Sequence, residues 1–307
     1  MSALAGSARP TRIRGPLSWW RDPWRRPRLL QGLTFAYIAW TILPVVIAIA
    51  FSFNAGRSRS SWQGLSVRWW VGDPYDSLWR DADLKRALLQ TFLLATCTVV
   101  IAVPIGTAFA IGIDRWHGRI SRVADFTMLL QFVVPELILS IALFLMFTTL
   151  LELSPGQLLI PLGTRAQIIG LVTFQLSYSV IIVRARLLSI GPEYEEAAMD
   201  LGARPGQAIR RVLLPLLSPA ILASMVRVFA DSVDDFVTVR YLSGDAASQP
   251  LSVKIYSAAR SSPTPAVNAA ATVMLSVTLL FITVGWFTNR RLNRGEKADA
   301  VAFTGGI

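Results

Sequence analysis

The chain has 307 residues, of which 53% are hydrophobic and only 16% are charged, and its formal net charge is +11. Soluble domains carry about a quarter charged residues, so this composition excludes an ordinary soluble enzyme, a disordered chain and a fibrous repeat. The apolar residues come in long blocks, which indicates a protein that folds in a lipid bilayer. The polar segments are too short to build a basic face for nucleic acid, so the positive charge favours Arg-rich cytoplasmic loops instead.

Six apolar blocks follow one another along the chain, and each is long enough to cross about 30 Å of hydrocarbon as a helix. We therefore expect an all-α integral membrane protein with six transmembrane helices. We interpret the first block as an uncleaved anchor and not a signal peptide, because five further apolar blocks follow it. The predicted spans are 33–53, 87–113, 126–151, 166–183, 216–239 and 266–287.

The distribution of Arg and Lys predicts the orientation of the chain. With six spans both termini lie on one side, which carries 19 of the 30 basic residues, against 10 on the other side and Arg227 inside a span. The side richer in basic residues is normally cytoplasmic, so we expect both termini in the cytoplasm and a multi-pass protein of the inner (plasma) membrane. The predicted domains are a basic cytoplasmic tail over 1–30, which contacts anionic membrane lipids, a transmembrane domain over 31–290 and a second cytoplasmic tail over 291–307.

Cysteine and histidine usage excludes several kinds of site. Cys97 is the only cysteine and His117 the only histidine, so neither an intrachain disulfide nor a Cys/His metal cluster can form. His117 stands in a charged run far from any nucleophile motif, and we interpret it as a solvated loop residue. None of the three lysines follows a glycine, so the chain has no phosphate-binding P-loop. We expect no cofactor, no metal and no enzymatic activity in this chain.

The loop over residues 189–215, between the fourth and fifth blocks, is the most informative segment. Pro192 and the acids that follow it suit the start of a helix, and Gly202 suits its C-terminal cap. Pro205 can then start a second helix. Two consecutive alanines in the first helix leave a smooth face that another surface can approach closely. The loop is therefore predicted to form two short helices joined by a turn, which act as a docking element.

The spacing in this loop resembles the EAA loop of the permease subunits of ABC importers. That motif reads E-A-A, three residues, G, nine residues, I, one residue, L-P, and Val212 stands here in place of the Ile. In that family the helices of the loop sit in a cleft on the ATPase subunit and pass its nucleotide-driven movement to the membrane. The resemblance implies that ATP and Mg are bound by this partner and not by the chain itself. It assigns ATPase coupling to Glu195, Glu196, Ala197, Ala198, Gly202, Pro205, Leu214 and Pro215.

A second resemblance covers most of the chain, and it is to the spermidine/putrescine branch of these permeases, in particular to its second permease subunit. It is carried by Phe51-Ser52-Phe53-Asn54, by Pro135-Glu136, by Asp234-Asp235-Phe236 and by the stretch over 250–257. It implies the type I importer permease fold and a polyamine cargo. It also implies a complex with a similar but non-identical permease subunit, two ATPase subunits and an extracytoplasmic solute-binding protein.

Other functions stay open at this point. The acidic stretch over 73–83 and the basic N-terminal tail depart from the pattern of the polyamine branch, so the cargo could instead be ferric iron, a phosphonate or another small amine. A secondary transporter driven by an ion gradient would also explain six spans and buried acids. It would leave the fixed spacing of the loop unexplained.

Four acidic residues inside predicted spans are candidates for the substrate pathway. Glu136 lies about ten residues, or roughly 15 Å, into the third span and therefore near the midplane. Asp231, Asp234 and Asp235 have the i, i+3, i+4 spacing that places them on one face of the fifth helix. An ionisable group at such a depth is expensive unless it faces a cavity or a partner. A row of carboxylates would bind the amines of a polyamine through charge-assisted hydrogen bonds.

Structural roles are the alternative for the same acids. Arg227 precedes Asp231 by one helical turn, so these two can simply pair. Arg240 is close enough in sequence to pair with Asp235 or Asp234, and Asp234 could also hold a bend in the helix.

Overall fold

The computed structural model describes residues 28–58, 61–116, 118–150, 152–154, 157–260 and 264–304. The first 27 residues of the predicted basic tail and the loop position of His117 lie outside these ranges. The described chain is helical apart from one antiparallel hairpin of β1 (Glu152–Ser154) and β2 (Gln157–Leu158). The predicted all-α fold class is confirmed.

Among the described residues, five helices are long and apolar enough to cross a membrane, and a bent pair would make a sixth span if it counts as one. The helix that contains the sixth predicted span continues to Thr304, through residues predicted to form a tail. In the described ranges the α-helices are α1 (Arg28–Ser52), α2 (Ala82–Arg115), α3 (Arg119–Val133), α4 (Glu136–Leu145), α5 (Thr164–Ile190), α6 (Glu193–Asp200), α7 (Pro205–Ala208), α8 (Leu214–Asp234), α9 (Val237–Tyr241), α10 (Leu251–Arg260) and α11 (Pro265–Thr304). Short π-helical segments cover Arg68–Gly72, Met146–Leu150 and Ile209–Leu213, and a 3₁₀ turn covers Ala246–Ser248.

The chain divides into two compact units, residues 1–50 and 51–307. In the first unit, α1 is apolar along almost its whole length, with a mean hydropathy of 2.2 over Leu30–Ser52. A helix that is apolar all round belongs in lipid or in a packed core. Pro44 lies inside it, which membrane helices tolerate better than soluble ones because neighbouring groups satisfy the freed backbone carbonyl.

The core of the second unit is formed by α2, α5 and α8, with α11 packed against α8. Small residues let these helices approach closely, as is common in membranes. A Cβ atom placed on Gly106 of α2 would lie only 2.7 Å from the Cβ of Ser179 on α5. Beside this contact the Ser224 hydroxyl donates to the Ser179 hydroxyl at 2.8 Å, which ties α8 to α5.

The third predicted span is interrupted, because α3 and α4 meet at a bend of 108°. Val134 and Pro135 are extended there, with ψ angles of 122° and 135°. Proline lacks an amide hydrogen, clashes with the carbonyl four residues earlier and drives the preceding residue into an extended conformation. The expectation that Glu136 lies deep inside one continuous helix is therefore wrong, since Glu136 is the first residue of α4.

The fifth predicted span also breaks, because α8 ends at Asp234 and the chain is extended at Asp235 (ψ 128°). The expectation that Asp231, Asp234 and Asp235 share a face of one helix is therefore wrong. Asp235 accepts a hydrogen bond from the Val239 amide at 3.2 Å, so it caps the start of α9. An acid does hold the bend, but it is Asp235 and not Asp234.

The close contact between α2 and α5 can be tested at Gly106. We expect Gly106→Leu to lower the free energy of unfolding by about 1–3 kcal/mol, because a bulky side chain there overpacks the interface. Gly112→Leu, on the same helix, is the matched control, since no atom lies within 4 Å of a Cβ placed on Gly112. Melting temperatures of the two purified variants in detergent measure the difference. Equal melting temperatures would contradict the packing described here.

Candidate coupling loop and intramembrane acid site

The loop between α5 and α8 folds as the sequence predicts, into two short helices joined by a turn. The α6 helix ends at Gly202, whose φ of +87° lies in the left-handed region that favours glycine. The Gly202 amide donates to the Met199 carbonyl at 2.9 Å, and the Ala203 amide donates to the Ala198 carbonyl at 3.0 Å. This is the Schellman arrangement, which satisfies the last carbonyls of a helix. Pro205 then opens α7.

One face of α6 is apolar and exposed. Tyr194 and Leu201 are 57% and 91% exposed, and Ala197 between them is exposed as well. Their spacing places them on one side of the helix, and we call these three residues the α6 apolar face. A cluster of exposed apolar side chains on a loop is typical of a protein contact surface. Among the predicted coupling residues, Glu196, Ala197, Gly202, Pro205 and Pro215 are exposed, Ala198 and Leu214 are half-buried, and Glu195 is buried.

Glu195 faces the protein interior and binds Arg115, the last residue of α2. The Arg115 Nη2 and Nε atoms lie 2.5 and 3.1 Å from the Glu195 Oε1 atom, and Nη1 lies 2.6 Å from Asp114 Oδ2. The two paired side chains are only 29% and 11% exposed, so this ion pair is less screened by water than a surface pair. It ties the coupling loop to α2. Sequence reasoning counted Arg115 only as a loop cation, because nothing local connects residues 80 positions apart.

The second coupling helix continues into the membrane. Residues Pro205–Asp234, comprising α7, the π-helical segment and α8, form one helical rod of 30 residues, which is about 45 Å long. The rod starts in the loop and ends directly before Asp235. A continuous helical segment therefore connects α7 to the break in the fifth span.

The two helix breaks bring Glu136 and Asp235 together. The Thr238 hydroxyl in α9 donates to Glu136 Oε1 at 3.5 Å. Asp235 Oδ1 accepts from the Val239 amide of the same short helix at 3.2 Å, so both carboxylates lie at the start of α9. Two adjacent negative charges repel strongly in a medium of low dielectric constant, so such a pair attracts a cation or shares a proton. We call Glu136, Asp235 and Thr238 the acid site.

Gln167 holds α9, and with it half of the acid site, against the rest of the core. Its buried side chain donates to the Val239 carbonyl at 3.1 Å and to the Ser243 hydroxyl at 3.0 Å. Its Oε1 atom accepts from Gln90 of α2 at 3.1 Å. Interhelical bonds of this kind help to fix helices in a bilayer. Sequence reasoning missed Gln167, because a lone glutamine in an apolar block belongs to no recognisable pattern.

The other predicted acids have different surroundings. Asp231 forms an ion pair with Arg227, which confirms the pairing alternative drawn from the sequence. Asp234 is exposed. In the part of the chain that the structure describes, Arg240 pairs with neither Asp234 nor Asp235, so that expected pairing is wrong.

Arg240 instead lines an open cleft of about 580 Å³ beside the acid site. Arg260 and Tyr256 also line it, and the Arg260 guanidinium lies 4.5 Å from the centre of the Tyr256 ring. Leu137 and Phe236, the neighbours in sequence of the two carboxylates, complete the wall next to the acid site. Over the described ranges no three His, Cys, Asp or Glu side chains are grouped as metal ligands.

The fold and these sites define a membrane-spanning transport component, and comparison with known proteins identifies its family. Residues 102–297 match the family described as "Binding-protein-dependent transport system inner membrane component". The chain belongs to this family. The putrescine transport system permease protein PotI of Escherichia coli K12 is 30% identical over 286 residues, which cover 91% of this chain and 95% of PotI. The spermidine/putrescine permease PotC of the same organism is 30% identical over 273 residues, which cover 89% and 98%.

Solved structures support the fold. A bacterial ABC transporter involved in the import of the acidic polysaccharide alginate aligns with a TM-score of 0.67 and 18% identity, over 89% of this chain and 99% of the other. The MetNI methionine ABC transporter aligns with a TM-score of 0.53 and 19% identity, over 68% and 93%. The chain is thus a multi-pass permease subunit of an ABC importer in the inner membrane, and it is a transport component and not an enzyme.

The link between the coupling loop and α2 can be tested by removing Arg115. We expect Arg115→Met to lower the free energy of unfolding by about 1–3 kcal/mol, because Glu195 is left buried without its partner. The double variant Arg115→Met/Glu195→Leu should recover most of this loss, since it removes both charges. Arg119→Met, at the exposed first residue of α3, is the control. Equal melting temperatures of the single and double variants would show that the ion pair does not stabilise the loop.

Proposed function

We propose that the chain imports polyamines such as putrescine and spermidine, and that it couples to an ATPase through α6 and α7. The observation that carries the cargo proposal is the acid site, in which Glu136 and Asp235 lie at the start of α9, next to two helix breaks. The names of the relatives, a putrescine and a spermidine/putrescine permease, point to the same chemistry.

A polyamine fits the acid site electrostatically. An ammonium group can form charge-assisted hydrogen bonds with both carboxylates at once, and the attraction is strong where water is scarce. The helix breaks add to this, because interrupted membrane helices leave backbone groups and helix ends free at the depth of the substrate. Ionisable residues inside a membrane are costly and therefore usually serve such a pathway.

The proposed partners follow from the exposed loop and from the relatives. We propose two ATPase subunits, a second permease subunit that is similar but not identical, and an extracytoplasmic solute-binding protein. A solved bacterial alginate ABC transporter in complex with a substrate-bound periplasmic protein supports the last of these partners. The α6 apolar face and the exposed Glu196 and Gly202 would lie against the ATPase. With both termini in the cytoplasm, as proposed from the basic residues, this face is on the correct side of the membrane.

The same geometry suggests how ATP drives transport. Movement of the ATPase displaces α6 and α7, and the rod Pro205–Asp234 carries this displacement to Asp235. The ion pair of Arg115 and Glu195 carries it to α2 as well. Since Asp235 directly follows the end of the rod and Glu136 belongs to α4, the displacement changes the distance between the two carboxylates and releases the bound amine.

A second cargo is favoured by one specific observation, the two guanidinium groups of Arg240 and Arg260 in the cleft beside the acid site. Arginine recognises phosphonate and carboxylate groups. A small aminophosphonate could therefore place its amine at the acid site and its anion in the cleft. Titration of the purified solute-binding protein with putrescine, spermidine and an aminophosphonate distinguishes the two cargoes, because only the true cargo should bind tightly.

The cargo proposal predicts the effect of neutralising the acid site. We expect Asp235→Asn to lower putrescine uptake about tenfold or more, because a charge-assisted hydrogen bond contributes about 1.5–3 kcal/mol. Uptake into proteoliposomes that hold the assembled importer is the measurement, with basal ATP hydrolysis and subunit assembly recorded in parallel. Asp83→Asn, at an exposed acid far from α8 in sequence, is the control. Unchanged uptake by the Asp235 variant would remove the acid site from the pathway.

The coupling proposal predicts the effect of a charge at the turn of the loop. We expect Gly202→Asp to lower uptake about tenfold, since an unpaired charge buried in an interface costs roughly 1–3 kcal/mol and the left-handed turn disfavours a side chain. Gly118→Asp adds the same charge at a half-buried glycine that has no atom within 4 Å of an added Cβ, and its φ of −161° tolerates any residue. Copurification with the ATPase and ATP-driven uptake are the readouts. An active, fully assembled Gly202→Asp importer would argue against docking at this turn.

A further inference from the structure

Arg227 lies in the membrane-spanning part of α8 and fills a site that has the composition of a cation-binding pocket. Its guanidinium forms an ion pair with Asp231, one turn further along α8, and lies 4.7 Å from the centre of the Tyr178 ring on α5. Gln175, also on α5, donates to the second Asp231 oxygen at 3.4 Å. A carboxylate and an aromatic face are the groups that recognise ammonium and guanidinium ions.

The site also holds an unused acceptor. Gln175 is only 3% exposed, and its Oε1 atom has no hydrogen-bond partner among the described residues. The Ser232 hydroxyl, next to Asp231 in the chain, is likewise buried and unpartnered within those ranges. A buried polar atom without a partner costs free energy, and this cost falls when a donor enters the site. An ammonium group carries up to three such donors.

The site is accessible from outside the chain. The Arg227 and Asp231 side chains are 41% and 32% exposed, although both lie within the apolar rod. A charged pair facing lipid would be expensive, and ionisable groups at this depth almost always face a cavity or another protein helix. This side of α8 is thus on a polar path or a subunit boundary, where a ligand can reach it.

We propose that Arg227 is a resident cation, which occupies an amine site formed by Asp231, Tyr178 and Gln175 until an amine of the cargo displaces it. The proposal rests on the cationic cargo proposed above and adds a second binding position to it. Asp231 precedes Asp235 by four residues, which is about 6 Å along a helix axis. Two amines on a short alkyl chain could therefore occupy the acid site and the Arg227 site together.

In this arrangement the Arg227 guanidinium competes with the amines of the cargo for Asp231. In the unloaded permease the guanidinium neutralises Asp231 and keeps the site from trapping small inorganic cations. A cargo amine must outcompete a tethered group, so only a ligand held at a second point, such as the acid site, displaces it efficiently. Monoamines lack this second contact, so we expect the importer to transport them poorly.

The test is binding of methylguanidinium and of putrescine to the assembled importer in lipid nanodiscs, without the solute-binding protein. We expect Arg227→Ala to bind methylguanidinium about tenfold more tightly than the wild type, because the vacated site is open to it. Adding Asp231→Asn to that variant should abolish the gain. Arg227→Lys keeps a resident cation and should behave like the wild type. Arg184→Ala, which removes the cation of the Arg–Asp pair with Asp125 at the predicted ends of the third and fourth spans, should give no gain.

The outcomes separate this proposal from the proposed cargo. A gain for methylguanidinium without one for putrescine supports the resident cation and counts against polyamine import. No gain for either probe, in an Arg227→Ala importer that melts and assembles like the wild type, overturns the proposal and leaves the pair a structural one. If Arg227→Ala does not assemble, Arg227→Gln, which retains a polar side chain of similar reach, is measured by the same criteria.

Discussion

The bilayer offers no water to a backbone amide or a carboxylate, and this constraint shapes the centre of the permease. Helices survive there because they satisfy their own backbone groups, and a break survives only where the protein or a cavity supplies partners. Two breaks occur side by side, at Pro135 and at Asp235. Asp235 satisfies the start of α9, and Gln167 holds that helix in place. The acid site exists because these breaks are stabilised together.

The breaks also give the rod Pro205–Asp234 a function. If the helix of the fifth span were continuous, Asp235 would lie inside it, and no break would separate the rod from the short helix that follows. Since the rod ends at the break, the proposed movement of the rod would act on Asp235, one carboxylate of the pair. The same rod carries Arg227 and Asp231 on its way through the membrane. In the proposed mechanism, ATPase coupling and substrate binding both depend on this one rod.

Much of the fold could be predicted from the sequence, because the strongest signals are local. Hydrophobic blocks of sufficient length predict membrane helices, and the order of Pro192, Gly202 and Pro205 predicts the two coupling helices and their turn. The continuity of α7 with α8 could not be predicted, since Pro215 reads as a boundary but lies in the first turn of α8, where proline is tolerated. Nor could the break at Pro135, because many membrane helices contain proline without breaking.

The candidate sites were predicted less well, because they depend on contacts between distant segments. The acids Glu136 and Asp235 could be named from their cost inside a membrane, but their proximity requires the two breaks. The two short helices of the loop followed from its proline and glycine positions, and their coupling role stays a proposal. Arg115 and Gln167 were missed, since each acts on a partner more than 70 residues away and neither belongs to a local pattern.

The most direct test of the account is a pair of cryo-EM structures of the assembled importer, one without nucleotide and one with ATP bound. The account predicts α6 and α7 in contact with the ATPase, a rod Pro205–Asp234 that moves as one body between the two states, and a changed distance between the Glu136 and Asp235 carboxylates. A rod that bends at Ile209–Leu213 while Asp235 stays in place, or a loop remote from the ATPase, would contradict it.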